Sequence, residues 1–139
     1  MSRLGLGAAA ALVIALMPAK AQVAQMAGTW NGTFMGIAMQ LVVGPDGSFS
    51  EVERTPAIMT MQTGHLRSFQ QGVVSFAVED WQPRTMPVYH PTGTVGGYTT
   101  QEPTSKPPGG TYRITFQGPN QFTMQDVNMG GVVTFYRAR

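Results

Sequence analysis

Cysteine is absent from all 139 positions. That excludes a disulfide framework, a thiol nucleophile, a thiolate metal site and a lipid carried on an N-terminal cysteine. Apolar burial alone must therefore hold the fold together. Charge is scarce too, at 12% of residues, with nine Lys and Arg against seven Asp and Glu. Two of the nine, Arg3 and Lys20, precede residue 22, and all seven acids follow it. Residues 22–139 are thus formally neutral, which removes nucleic acid and other polyanions as electrostatic partners. No apolar run reaches the roughly 20 residues of a membrane-spanning helix; the one at 4–17 has fourteen. A nucleophile elbow, a His-Glu-x-x-His motif and a phosphate-cradling loop are missing as well. Enzymatic activity, a cofactor and a metal centre all lack positive support.

What is present starts with a basic Ser2-Arg3, the apolar run 4–17, Pro18, and the small residues Ala19 and Ala21 flanking Lys20. This is the layout of a secretory signal cleaved after Ala21. A membrane anchor is the alternative, and the run is too short for it. The expectation is a signal peptide at 1–21 and one monomeric domain at 22–139. That domain would be periplasmic or secreted and free of a stable membrane anchor after cleavage.

Within 22–139 the dominant pattern is two-residue alternation, and no helical period appears. Trp30, Gly32 and Phe34 share a face, as do Ile37, Met39, Leu41 and Val43. Gly44-Pro45-Asp46-Gly47 has turn chemistry. Residues 64–80 and 110–126 repeat at an offset of 46, superposing Gly64 on Gly110, Arg67 on Arg113, Gly72 on Gly118, Phe76 on Phe122 and Asp80 on Asp126. Each copy predicts a strand, a tight turn and a second strand. Eight strands joined mainly by short turns predict an all-β, antiparallel up-and-down barrel, which removes its own edges by closing. The segment 83–109, rich in Pro and Gly, is expected to be a long loop, either a packed lid or a mobile flap.

Gly28-Thr29-Trp30 opens the first strand and Arg137 stands near the end of the last. With the strand count, this resembles the calycin superfamily, and especially the short bacterial lipocalin-like domains. The resemblance implies that Trp30 packs at the closed barrel end against Arg137. It implies no ligand, because the chain lacks a second lipocalin motif and the several Trp residues that wall an avidin site.

A meander places the turns at 44–47, 70–72 and 118–120 at the Trp30 end and segment 83–109 at the other, the candidate mouth. There, Phe76-Val78-Asp80 and Phe122-Met124-Asp126 are expected to face inward, bringing Asp80 and Asp126 to the rim. They would anchor a polar ligand head, act as an acid–base pair, or merely cap their own strand ends. Trp81, Tyr89, His90 and Tyr98 complete the candidate ligand-binding set. Met59 and Met61 are read as core filling, with Cu(I) ligation as the alternative. The leading function is retention of a small, largely apolar molecule at the mouth beneath 83–109. The alternative is a filled barrel that recognises a protein partner through the same segment.

Overall fold

The computed structural model describes residues 23–70 and 72–139, so the leader expected at 1–21 lies outside the described residues. Ten strands follow a single helical turn at 23–25. In chain order they are β1 Gly28–Phe34, β2 Ile37–Val43, β3 Ser48–Arg54, β4 Met59–Gln70, β5 Val73–Gln82, β6 Thr85–Pro91, β7 Gly97–Pro103, β8 Gly110–Phe116, β9 Gln121–Asp126 and β10 Val132–Arg137. Eight of them close a barrel in the order β1-β10-β9-β8-β5-β4-β3-β2. The first and last strands meet antiparallel, with Trp30 opposite Arg137.

Segment 83–109 departs from the expected loop. After a cis Gln82–Pro83 peptide it forms a hairpin, β6 with β7, pairing Thr85 with Pro103 through to Pro91 with Gly97. Three prolines (Pro87, Pro91 and Pro103) obscured the alternation Met86-x-Val88-x-His90. Proline is tolerated where an N–H faces away from a partner strand, and a two-stranded ribbon has only edge strands. The same prolines discourage further strands from adding on.

The closed end is built around Trp30, which is fully buried. Phe122 meets its ring edge-on at 4.6 Å, and Phe122 in turn stacks on Phe135 at 5.3 Å. Val23 and Met26, from the helical turn, join this cluster as a plug. The Trp30 indole N–H donates to the Met26 carbonyl at 2.7 Å, so the plug is hydrogen-bonded as well as packed. Arg137 lies over the indole, its guanidinium carbon 4.2 Å from the ring centroid. It also donates to the carbonyls of Ala27 at 3.0 Å and Pro119 at 3.0 and 3.1 Å. Gly28 is required beside it. Its φ is +129°, and a Cβ there would overlap the Arg137 guanidinium. Arg137→Leu is expected to cost about 1–3 kcal/mol by removing the cation–π contact and leaving two carbonyls short of donors. Arg137→Lys should recover only part of that, since a point charge cannot serve both carbonyls and the ring face. Thermal melts of the two variants against the parent test this, and equal melting of all three would refute it.

Candidate functional site

Towards the opposite end the inward face turns polar. Phe49, Glu51 and Glu53 alternate along β3, and Glu51 is buried at 5% exposure. Across the next two strands Glu51 stands opposite Gln62, and Gln62 opposite Trp81. Gln62 donates to a Glu51 carboxyl oxygen at 3.2 Å. Burial pushes the Glu51 carboxyl up to about 8, and a hydrogen bond with Glu53 and that residue's charge push in the same direction. The fold therefore favours the protonated, neutral form of Glu51 at pH 7. The Tyr112 phenol, from β8, is also raised, by burial and then by the charges of Glu51, Asp126 and Glu53. The acids of the open end thus act on one another and on Tyr112.

Trp81 reaches this face because of a bulge. Thr63 pairs with Asp80 but Gly64 pairs with Val78, so Glu79 is an extra residue in β5. The insertion inverts the alternation beyond it. Asp80 follows Thr63 to the outside, where it is exposed and bonded to Arg84, which holds its carboxyl below the ordinary carboxylate range. Trp81 takes the inward position instead. Its indole N–H donates to Thr104 Oγ1 at 3.0 Å, and that hydroxyl donates to the Pro83 carbonyl at 2.6 Å. Arg84 covers the outer side, 3.7 Å from the ring centroid. Trp81 thereby ties the segment 104–109 across the barrel opening.

Beneath that segment lies a cavity of about 360 Å³. Ile58, Met61, Trp81, Met86, Pro107 and Pro108 give it apolar walls, and Glu51, Glu53, Thr60, Gln62, Gln82, Thr104 and Ser105 supply polar groups. Among the described residues no Lys, Arg or His lines it. Its size falls within the roughly 300–1,000 Å³ of small-molecule sites. Such a cavity can bury an apolar body while a neutral carboxyl donates, and an ionised one accepts, a hydrogen bond at its floor.

The residues singled out from sequence are dispersed. Of the six candidate ligand-binding residues, Trp81 alone lines the cavity. The expected rim pair does not form, because Asp80 points outward and Asp126 accepts hydrogen bonds from the Asn128 and Met129 backbone N–H groups at 2.8 and 3.0 Å, capping its own strand end. On the hairpin, the Tyr89 hydroxyl donates to Gly96 O at 3.0 Å. His90 stacks on Tyr98 at 4.9 Å, and its Nε2 lies 2.9 Å from Thr100 and 3.1 Å from Glu102. These three residues brace the hairpin and do not line the cavity. Met59 and Met61, read as core, are both exposed, Met61 at the border of the cavity. Exposed apolar side chains gather at this same end: Phe34 and Met35 in one turn, Ile58 and Met59 in the next, Val127 and Met129 in a third.

Glu51 and Glu53 escaped the sequence reading. Their signal was legible in Phe49-x-Glu51-x-Glu53, where two carboxylates occupy the face begun by a core Phe. Among the described residues no three His, Asp or Glu side chains converge as metal ligands. Compared with protein-family models, with curated proteins and with solved structures, the chain finds no match.

Proposed function

We propose that this chain is an exported, lipocalin-like barrel that holds one small, largely apolar molecule at its open end. The observation that carries the reading is the cavity of about 360 Å³ between the barrel mouth and segment 104–109, apolar in its walls and polar at its floor. The likeness to calycins draws on the closed barrel and on the Trp30–Arg137 contact. Export draws on the arrangement of residues 1–21. Retention on this reading is passive, with apolar burial contributing about 25 cal/mol per Å².

The role expected of 83–109 narrows to its two ends, since Pro83, Met86, Thr104, Ser105 and residues 107–109 border the cavity and the hairpin tip does not. The test uses the neutral fluorescent probe N-phenyl-1-naphthylamine. It is expected to bind one per chain, and Ser105→Trp, which fills the space under the segment, should weaken it at least about tenfold without changing the melting profile. Replacing 88–101 by a short Gly-Ser link should leave probe affinity within about twofold. Saturable binding that ignores Ser105→Trp would defeat the reading.

A second reading is favoured by a different observation. The β6–β7 hairpin pairs with no other strand, and it exposes Tyr89, Tyr98 and, at 90% exposure, Val95. With prolines blunting both edges, the exposed side chains suit a protein partner bound through anchor residues. The same 88–101 deletion separates the readings: loss of partner capture with intact probe binding assigns the hairpin to a partner.

A further inference from the structure

We propose that the molecule held at the open end bears a cationic amine, whose nitrogen sits between the Glu51 and Glu53 carboxyls while its apolar body lies against Ile58, Met61, Pro107 and Pro108. This rests on the open end being a binding site.

The charge inventory of the cavity carries the inference. Facing it are Glu51 and Glu53 from β3, Thr60 and Gln62 from β4, Trp81 from β5, and Thr104 and Ser105 from the covering segment. Close enough to feel the same field are Tyr112 from β8 and Asp126 from β9. The cations at this end are all elsewhere. Arg54 and Lys106 are exposed, and Arg84 is held outside by Asp80 and the outer face of Trp81. His65, opposite Ser48, lies nearer the closed end and on the outer face, 2.6 Å from Glu79. Among the described residues no cationic side chain lines the cavity beside these carboxyls.

Three ligand heads can be ranked on that basis. A carboxylate would meet like charge in a partly desolvated site, which is costly. A hydroxyl can accept the Glu51 proton or donate to Glu53, a gain of neutral type. An ammonium presents three N–H donors to two carboxyls and makes charge-assisted bonds, roughly twice as strong as neutral ones. It takes the place of the retained proton, which leaves Glu51 for the solvent as the ammonium arrives. Amine binding at pH 7 therefore releases a proton, and affinity rises with pH towards 8, the range in which Glu51 gives its proton up.

Octylamine, octanol and octanoate share a chain length and differ in the head, so they isolate this effect. Each would be titrated by calorimetry at pH 7 in two buffers of different ionisation enthalpy, and by displacement of N-phenyl-1-naphthylamine. Octylamine is expected to bind at least about tenfold tighter than octanol, with octanoate weakest and with buffer-dependent heat marking proton release. Glu51→Gln and Glu53→Gln should each weaken octylamine about tenfold, and each should cost octylamine more than it costs octanol. If the naphthylamine binds while octanol or octanoate matches octylamine, or octylamine fails to displace it, the amine assignment is wrong and the binding site stands. If the naphthylamine itself does not bind, the binding reading falls and the amine assignment falls with it.

Discussion

Gly64→Ala is expected to destabilise the barrel by about 3 kcal/mol, the upper range for forcing atoms into a packed interior. A Cβ at Gly64 would overlap the Ala77 carbonyl oxygen and lie 3.1 Å from the Glu79 amide nitrogen. Both are backbone atoms, so no side-chain rotation relieves the clash. The site is also the point where β4 crosses the bulge in β5. Relaxation would have to move the bulge, and with it the inversion that turns Trp81 inward. Urea denaturation should show the loss of stability, and tryptophan fluorescence of the native baseline should report a changed Trp81 environment. Gly131→Ala is the control, because its Cβ would meet only the Phe34 ring, at 3.4 Å or more; its effect should stay near 0.5 kcal/mol, as for an ordinary surface change. A Gly64→Ala loss no larger than the control's would show that the two strands do not approach closely at Gly64.

That bulge also explains where the sequence stopped being informative. Alternation in β1, β2, β8, β9 and β10 marks the inward faces plainly, and short turns between them lead to closure without any knowledge of contacts. The repeat at offset 46 carries less. It superposes Phe76 on Phe122, and both do point inward, yet Leu66 stands opposite Phe76 whereas Phe116, not Tyr112, stands opposite Phe122. The two hairpins turn differently, Gln70 facing Val73 in one and Phe116 facing Phe122 in the other, and turn length sets register. A repeat therefore preserves side-chain direction while register slides. Direction itself fails past Glu79, where one inserted residue exchanges the roles of Asp80 and Trp81. Nothing in the run Val78-Glu79-Asp80-Trp81 announces that insertion; Gly64 on the facing strand does, since a Gly inside a strand often marks a bulge or a close backbone approach.

The Glu51 carboxyl gives the second large effect. Its ordinary value is 4.5 and the fold raises it to about 8. Below pH 4.5 it is protonated in folded and unfolded chains alike and does not bias folding. Between 4.5 and 8 the folded chain keeps a proton that the unfolded chain has released, so stability falls as pH rises. Above 8 both states have lost it and the penalty levels off, at roughly 3–5 kcal/mol. Asp46 and Asp80 do not mask this: their values are lowered from 3.8, so their contribution is lost only on acidification below that range. Tyr112 is raised from 10.0, and its effect begins at still higher pH. Glu51→Gln removes the titrating group but keeps an oxygen for Gln62 and gains N–H donors for Glu53. Its stability should be nearly level from pH 5 to 8 where the parent declines. The variant should therefore overtake the parent by roughly 2–4 kcal/mol at pH 8. Urea midpoints at pH 5, 6.5 and 8 measure both slopes. Parallel slopes would mean that Glu51 ionises as freely in the fold as outside it, and the barrel mouth would then hold an ordinary carboxylate open to water.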